Sequence, residues 1–484
     1  MSESTSALTS AQLHAELDQV FDEVLTQLTD LVAIPSVAWP SFNPSNVRSS
    51  AEAVAGFARG LGLDVDILHA SQPDGTDGYP AVVASVPAPE GAPTVLLYAH
   101  HDVQPPGKPE AWNTEPFVAT RVGDRLYGRG AADDKAGIMV HLTALRLLAD
   151  RLGVGVTLFF EGEEEAGSPS FRNFLETYQD RLSADVIVVA DSGNWAAGVP
   201  ALTTSLRGMC AVEFEVTTLD HAVHSGMYGG IVPDAMLAMT RVLATLHNDD
   251  GSVAVAGLKS ETHSEIDYDE ATIRTDSGVL ESTALIGSGS LASRLWTQPS
   301  VTVIGLDIPD VDVSSNTIQS SLRAKLSIRL APGDTPENAV RAVEAHLREN
   351  LPFGASLRIG DTEGGSPWQA DLADPVVKTA RQALTDAWGT ESVTMGIGGS
   401  IPFIADLLDV FPQASILVTG VEDPDARAHS ANESLYLPDF KAAIVAEALL
   451  LQRLADDNSS PSGNTAHPGS VVRGVAWAQE RNKE

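Results

Sequence analysis

Hydrophobic residues near the start of the chain recur with the period of a helix. Between residues 11 and 34 they are spaced three and four apart, and the pattern stops at Pro35. This spacing predicts an amphipathic helix that buries one face and ends before the proline.

Four later segments show a different pattern, in which an apolar run ends abruptly in polar side chains. The runs cover residues 94–99, 156–160, 186–190 and 415–418, and they lead to His100, Glu161, Asp191 and the loop that reaches His429. Apolar runs separated by helical stretches predict an α/β fold, with a mixed, mostly parallel sheet and helices on both faces. Because such sheets bind ligands beyond the carboxyl ends of their strands, the four polar ends should meet at one edge.

The pattern changes between about residues 205 and 366. Apolar and acidic residues alternate from Val212 to Val216, and the helical and strand-like segments that follow complete the order β-α-β-β-α-β. This order predicts an α+β split-βαβ domain. It is inserted into the larger domain, because the fourth apolar run comes after it. Residues 250–298, rich in Gly, Ser and acids, give no assignment.

Composition agrees with two domains and excludes several classes of partner. The 484 residues exceed the roughly 250–300 that one hydrophobic core usually supports. The 65 acidic against 30 basic residues give a formal charge of −35, which opposes binding to nucleic acid and to anionic membranes. A lone cysteine, Cys210, excludes an intramolecular disulfide, and neither a signal peptide nor a membrane span is evident. We therefore expect a cytoplasmic protein whose acidic excess is either solvated surface or partly a cation site.

Two pairs of residues carry the first candidate chemistry. His100 and Asp102 share one face of a strand, so Asp102 could hold the second nitrogen of a metal-bound imidazole, although a structural histidine explains the pair equally well. Asp133 and Asp134 stand just before a predicted helix, where carboxylates are also favoured as caps. Lys135 could neutralise one of them.

The segment EGEEE at residues 161–165 is the most informative. Its four carboxylates follow a buried strand directly, where they repel one another and lose hydration unless a cation compensates them. The chain should turn at Glu164 and Glu165, so that one binds metal and the other faces a water. With Asp191 and His429 they form an oxygen and imidazole set without thiolate, which fits Zn, Mn or Co in a catalytic site.

Six segments, in this order, resemble the M20 family of dinuclear zinc peptidases and deacylases, in particular its dipeptidase branch of carnosinase-like enzymes. They are His100-x-Asp102, GRGAADDKAG at 128–137, EGEEEAGS at 161–168, Asp191, HSGMYGG at 224–230 and AHSANE at 428–433. The resemblance spans residue 11 to about residue 455. Motifs of other hydrolases and of nucleotide-binding proteins, such as HExxH, GxSxG and GxGxxG, are absent from the sequence.

The resemblance implies two divalent cations per subunit, zinc first, with manganese or cobalt as alternatives. The implied metal ligands are His100, Asp133, Glu165, Asp191 and His429. Asp102 then orients His100, and Glu164 is the general base for a hydroxide that bridges the ions. The implied reaction is hydrolysis of the amide bond of dipeptides or similar small substrates. A deacylase of N-acyl amino acids with the same fold is the alternative, and a metal-free binding protein is a third possibility.

The resemblance also implies a lid and dimerisation domain at residues 205–366 and a catalytic metal-binding domain at 1–204 and 367–456. The composition of the last residues, with SSPSGNTAHPGS at 459–470, predicts a flexible tail at 457–484. His224, Asn316 and Arg329 match substrate-binding positions of the lid, and His224 matches a histidine that reaches the neighbouring subunit of a homodimer. Further substrate contacts are implied for a loop that contains Gly398, Gly399 and Ser400. Several dipeptidases of the family carry Arg where this chain has Gly396.

Overall fold

The computed structural model of the protein describes residues 7–399 and 402–457. Ser400 and the predicted tail beyond residue 457 lie outside these ranges. The strands are β1 (Asp64–Leu68), β2 (Ala81–Val86), β3 (Thr94–His100), β4 (Thr120–Val122), β5 (Arg125–Tyr127), β6 (Gly155–Glu161), β7 (Val186–Val189), β8 (Ala201–Leu206), β9 (Gly208–Thr217), β10 (Val223–His224), β11 (Ser300–Leu306), β12 (Thr317–Ile318), β13 (Ser321–Leu330), β14 (Ser356–Gly365), β15 (Trp368–Gln369), β16 (Val393–Ile397), β17 (Ser415–Val418) and β18 (Ser434–Tyr436).

The α-helices alternate with these strands along most of the chain. They are α1 (Ser10–Val32), α2 (Ser45–Gly60), α3 (Lys135–Leu148), α4 (Phe171–Thr177), α5 (Gln179–Leu182), α6 (Ser225–Tyr228), α7 (Ala235–Ala244), α8 (Glu270–Ser277), α9 (Leu291–Trp296), α10 (Pro336–Asn350), α11 (Pro375–Trp388), α12 (Pro402–Val410) and α13 (Leu437–Asp457). The first helix follows the predicted pattern: Thr9 and Gln12 form a capping box at its start, and it ends three residues before Pro35.

The larger sheet has nine strands in the order β1-β2-β6-β3-β7-β17-β8-β15, with β16 paired to β8. Its centre consists of β6, β3, β7 and β17, which are parallel to one another and correspond to the four apolar runs of the sequence. The flanking pairs β2–β6 and β17–β8 are antiparallel. The predicted mixed α/β sheet with a parallel centre is therefore confirmed.

Helices cover both faces of this sheet, because side chains of a strand point alternately to opposite sides. Val95 and Leu97 of β3 pack into a core with α1, α2, α3, α11 and α13. Leu96 and Tyr98 point the other way, into a core with α4 and α12. Both faces of β3 are thus buried, which explains its continuous apolar sequence.

A four-stranded antiparallel sheet, with the order β11-β13-β9-β14, lies between β8 and β15 in the sequence. Its strands and the helices α7 and α10 follow the predicted order β-α-β-β-α-β. It has its own hydrophobic core, which includes Phe214, Leu326 and Val343. In residues 7–399 and 402–457, we find no helix with the length and apolar character needed to cross a membrane.

Candidate metal centre

The ends of the central strands bring the predicted polar residues together. His100 is the last residue of β3 and lies beside Glu161 in the register of β3 and β6. Asp191 follows β7, whose Val189 pairs with Tyr98 of β3. Because the three strands are parallel, these side chains emerge at the same edge of the sheet.

His100 lies between carboxylates on both sides of its ring. Its Nε2 is 3.1 Å from Asp133 Oδ1 and 3.9 Å from Asp191 Oδ1. Its Nδ1 is 3.1 Å from the Asp102 carbonyl oxygen and 3.4 Å from Asp102 Oδ1. His101 points away and contacts the Pro80 carbonyl, as the alternation of a strand predicts.

His429 completes the cluster from the far end of the chain. Its Nε2 is 3.1 Å from Asp133 Oδ2 and 3.3 Å from Glu165 Oε2. The two oxygens of Asp133 therefore face two different histidines, His100 and His429. This is the arrangement expected of a carboxylate shared by two ions.

Asp102 fixes the turn that carries Glu164 and Glu165. The chain makes a short 3₁₀ helix at Glu164–Ala166, where the sequence predicted a turn. Asp102 Oδ1 accepts a hydrogen bond from the backbone N–H of Glu164, and Oδ2 accepts one from Glu165, both at 3.1 Å. The same carboxylate lies beside His100, so Asp102 holds the histidine and the glutamate turn in a fixed relation.

The four carboxylates of the EGEEE segment separate into two groups. Glu161 accepts a hydrogen bond from the Tyr98 hydroxyl at 2.6 Å. Glu163 accepts two from backbone N–H groups, of Tyr79 at 2.9 Å and Ser170 at 2.7 Å. These two acids anchor the loop, and the next two face the cluster.

The electrostatics of the cluster favour a positive charge at its centre. Burial raises the pKa of Glu165 to about 10, of Glu164 to about 8 and of Asp191 to about 6, and the neighbouring acids add to each shift. The pKa of Asp133 is lowered: burial opposes this, but hydrogen bonds from His100 and His429 outweigh burial. No Lys or Arg of the described residues forms an ion pair with these four carboxylates.

The residues present fit divalent cations. In each of two groups, His100–Asp133–Glu165 and His100–Glu164–Asp191, one possible ligand atom per residue lies within 4.8 Å of the others. The donors are carboxylate oxygens and imidazole nitrogens, the set that suits Zn and Mn in open catalytic sites. Glu164 thus lies close enough to act either on a metal ion or on a water beside one.

The sequence suggested that Lys135 could neutralise one of the neighbouring aspartates, but in the structure it does not. It is fully buried, and its Nζ donates to the carbonyl oxygens of Leu31 and Ile34, both at 2.8 Å. Burial lowers the pKa of its ammonium to about 7. The residue ties the carboxyl end of α1 to the metal-site loop.

Three residues that border the cluster were not predicted from the sequence. Gln104 donates its backbone N–H to Glu165 Oε1 at 3.1 Å and its side-chain Nε2 to Oε2 at 2.6 Å. Arg129 and Glu433 form a buried ion pair at 2.7 Å beside Asp133. Arg129 and Glu433 lie in the quoted motifs, but their spacing in the chain gives no sign that they meet.

The predicted substrate-binding residues His224, Asn316 and Arg329 belong to the part of the chain between β8 and β15. His224 belongs to β10, which pairs with β12, and Ser225 donates its N–H to the Asn316 carbonyl at 2.9 Å. Arg329 is half-buried on β13 and forms no ion pair within the described chain. Its charge adds to the burial that lowers the pKa of Arg207 to about 10.

The loop after β16 is held by Arg207, which the sequence analysis also missed. Arg207 Nε donates to the Gly398 carbonyl at 3.0 Å. Gly398 and Gly399 are therefore near Arg207, and Ser400 is outside the described residues. A Cβ atom at Gly396 would lie 2.7 Å from Trp296, which explains why this chain has no side chain there.

The segment at residues 250–298, unassigned from sequence, contains α8 and α9. Trp296 of α9 packs edge-on against Tyr268, with ring centroids 5.5 Å apart, and Tyr268 contacts Trp195 at 4.8 Å. Trp195 follows Asp191 by four residues. The segment therefore packs beside the metal-site edge of the larger sheet.

The fold and the cluster at its edge define a metallohydrolase, and residues 96–453 match the family model described as "Peptidase family M20/M25/M40". The chain belongs to this family and is a hydrolase that acts on peptide bonds.

Relatives with known names share most of the chain. A "Cysteinylglycine-S-conjugate dipeptidase" of Corynebacterium striatum is 33% identical over 441 residues, which cover 89% of this chain and 95% of that protein. A "Beta-Ala-His dipeptidase" of Rattus norvegicus is 29% identical over 486 residues, with coverage of 94% and 98%. The crystal structure of human carnosine dipeptidase 1 superimposes with a TM-score of 0.69 and 25% identity, and covers 92% of this chain and 99% of that one.

Proposed function

We propose that the protein is a dinuclear metal-dependent dipeptidase. Its metal ligands are His100, Asp133, Glu165, Asp191 and His429. The observation that carries this proposal is the convergence of four carboxylates, two buried and two half-buried, and two histidines, with no lysine or arginine of the described residues paired to the carboxylates. The two relatives described above are named dipeptidases, which supports the substrate class. Zinc is the first choice of metal, and a cytoplasmic location stays a prediction.

The contacts support a role for each residue. Two divalent cations, held by His100, Asp133, Glu165, Asp191 and His429, would act as Lewis acids toward the scissile carbonyl and lower the pKa of the attacking water. Glu164 accepts the proton of the attacking water on its carboxylate and returns it to the leaving amine. Asp102 holds His100 and Glu164 in fixed positions relative to each other.

Substrate recognition is assigned to the residues of the lid and of the loop after β16. The Arg329 guanidinium is half-buried and has no acidic partner among the residues that the structure describes, so it is available for the carboxylate of a dipeptide. Gly398, Gly399 and Ser400 are proposed to offer backbone amides to the same end of the substrate. His224 and Asn316 are proposed to act on the scissile carbonyl.

The division into two domains is part of the proposal. The chain leaves the larger sheet after β8, which ends at Leu206, and returns at β15. This supports a lid at residues 205–366 and a catalytic domain at residues 1–204 with 367–456, although Ser205 and Leu206 still belong to β8 of the larger sheet. We further propose a homodimer formed through the lid. Large apolar side chains are exposed in the segment after β10, at Met227 (70%) and Ile231 (82%), and in the segment before β12, at Val311 (89%) and Val313 (73%). An exposed apolar patch of this kind is typical of an interface.

The catalytic assignment is tested by Glu164→Gln. We expect unchanged metal content and a fall in kcat of roughly 10²- to 10⁴-fold, the usual contribution of a general base. Glu447→Gln is the matched control, because Glu447 is a buried carboxylate whose partner is His141, away from the cluster. Retention of most activity by Glu164→Gln would show that another group is the base.

The substrate class and the metal are tested together. The wild-type protein, purified without chelator, is assayed with Zn²⁺, Mn²⁺ and Co²⁺ on dipeptides and on N-acetyl amino acids. We expect bound divalent ions and hydrolysis of dipeptides. Hydrolysis of N-acetyl amino acids alone would assign a deacylase, and less than one ion per chain would contradict the metal proposal.

The homodimer is tested by sedimentation of the wild type and of Ile231→Asp. We expect a wild-type dimer and a monomeric variant that keeps its metal content and loses activity, since His224 is proposed to serve the neighbouring subunit. A fully active wild-type monomer contradicts both the dimer and the role of His224.

A further inference from the structure

Glu433 is a buried carboxylate that belongs to no predicted ligand set but contacts the loop that carries Asp133. It has no exposed surface. Its Oε1 accepts hydrogen bonds from the backbone N–H groups of Ala132, at 3.0 Å, and Asp133, at 3.1 Å. Its Oε2 accepts one from the N–H of Gly130 at 3.0 Å and one from Arg129 Nη1 at 2.7 Å. A single side chain thus accepts four hydrogen bonds from residues 129–133 of the loop.

The pairing of two short strands brings Glu433 to this loop. In the register of β5 and β18, Tyr127 lies opposite Ser434, and Gly128 donates its N–H to the Glu433 carbonyl at 3.0 Å. The loop after β5 and the loop before β18 therefore run side by side from this pair. At the tips of the loops, Asp133 meets His429.

Arg129 extends the connection to a third loop. It is 1% exposed, and its Nη2 donates to the carbonyl oxygens of Ser430, at 3.2 Å, and Pro105, at 3.4 Å. Ser430 follows His429 directly. Pro105 follows Gln104, which binds both oxygens of Glu165. The guanidinium thus connects the loops that carry Asp133 and His429 with the loop of Gln104, which contacts Glu165.

We propose that Glu433 and Arg129 are positioning residues for the metal centre, which hold Asp133 and His429 at the separation that a shared ion requires. This inference rests on the proposed metal-dependent function. A buried ion pair stabilises a fold little compared with apolar residues of the same volume, so stability alone does not explain a charged pair at this place. A role in orienting metal ligands does explain the charged pair, because the loss of such orienting residues weakens metal binding even when each ligand is intact.

The test measures Co²⁺ binding to the full-length protein after chelator treatment. Co²⁺ is titrated at a temperature well below unfolding and followed by visible absorption, and thermal unfolding of the metal-free protein is measured in parallel. The variants are Glu433→Gln, which removes the charge, and Arg129→Lys, which keeps the charge but loses the forked contacts. Glu447→Gln is the control for the loss of a buried carboxylate with a basic partner.

We expect Glu433→Gln and Arg129→Lys to raise the Co²⁺ dissociation constant by roughly 10- to 100-fold and to change the absorption spectrum of the bound ion. Glu447→Gln should have the Co²⁺ dissociation constant and the absorption spectrum of the wild type, even if its unfolding temperature falls. If Glu433→Gln does not fold, the Co²⁺ affinity of Arg129→Lys decides whether the inference stands.

Two results would overturn the inference and leave the proposed function intact. One is wild-type Co²⁺ affinity in both Glu433→Gln and Arg129→Lys. The other is an equal loss of affinity in Glu447→Gln, which would indicate a general effect of a missing buried carboxylate. If the wild type binds no Co²⁺, the proposed function itself fails, and this inference fails with it.

Discussion

Replacing Asp102 with Asn would separate the roles of its two carboxylate oxygens. Each oxygen accepts one backbone N–H, from Glu164 or from Glu165, at 3.1 Å. Asn keeps one oxygen and turns an amide NH₂ toward the other donor, so one backbone N–H of the turn loses its acceptor. The change also removes the negative charge beside His100 Nδ1.

The size of the effect can be worked out from these contacts. A buried donor without a partner costs about 1–3 kcal/mol. Loss of the acceptor that orients a metal-binding histidine weakens metal binding by roughly 10- to 100-fold, which is about 1.4–2.7 kcal/mol at ~1.36 kcal/mol per tenfold change. We therefore expect Asp102→Asn to show this loss of affinity and to lower the unfolding free energy of the metal-free protein by about 1–3 kcal/mol.

The assay is calorimetric titration with Zn²⁺, combined with denaturant unfolding of the metal-free protein. Asp439→Asn is a matched control, because this buried carboxylate also accepts N–H groups, from Gly198 at 3.0 Å and Trp388 Nε1 at 2.9 Å. The control should lose stability and keep its Zn²⁺ affinity. Wild-type affinity in Asp102→Asn, or an equal loss in Asp439→Asn, would refute the role given to Asp102.

Further predictions concern the metal-free protein and the loop after β16. In the folded metal-free protein, the pKa is raised to about 8 for Glu164 and to about 10 for Glu165. Both side chains therefore keep their protons at pH values at which the unfolded chain, whose glutamates have the ordinary pKa of 4.5, has released them. The unfolding temperature of the metal-free protein should therefore fall as the pH rises from 5 to 8, and Zn²⁺ should reverse the trend; a temperature that rises with pH in chelator would contradict this. Gly396→Ala should lower the unfolding free energy by about 1–3 kcal/mol, because its Cβ would lie 2.7 Å from Trp296. Gly56→Ala, in a helix with open space around the new methyl group, should raise it by up to about 1 kcal/mol, and equal effects at the two positions would refute the steric explanation.

Periodicity and strand ends predicted the parts of the site that depend on local sequence. The apolar run before His100 placed that residue at the carboxyl end of a buried strand, and the crowding of EGEEE predicted the turn at Glu164. Both are properties of a few neighbouring residues, and the sequence shows them directly.

Long-range contacts were not predictable in the same way. The bonds from the loop at Gly130 to Glu433 join positions about 300 residues apart, and no spacing within either motif encodes them. Lys135 was misjudged for a similar reason. Its charge suggested a neighbouring aspartate, but its side chain reaches the end of α1, and only the packing of α1 against α3 shows this.

The position of β17 affects the order in which the enzyme can mature during synthesis. Residues 415–418 lie between β7 and β8, which leave the ribosome much earlier. Until β17 has been translated, the growing chain has a gap in the middle of its larger sheet and lacks His429. The acidic cluster is therefore complete only after His429 has been translated, so the proposed metal site can form only late in synthesis, once β17 has filled the gap in the sheet.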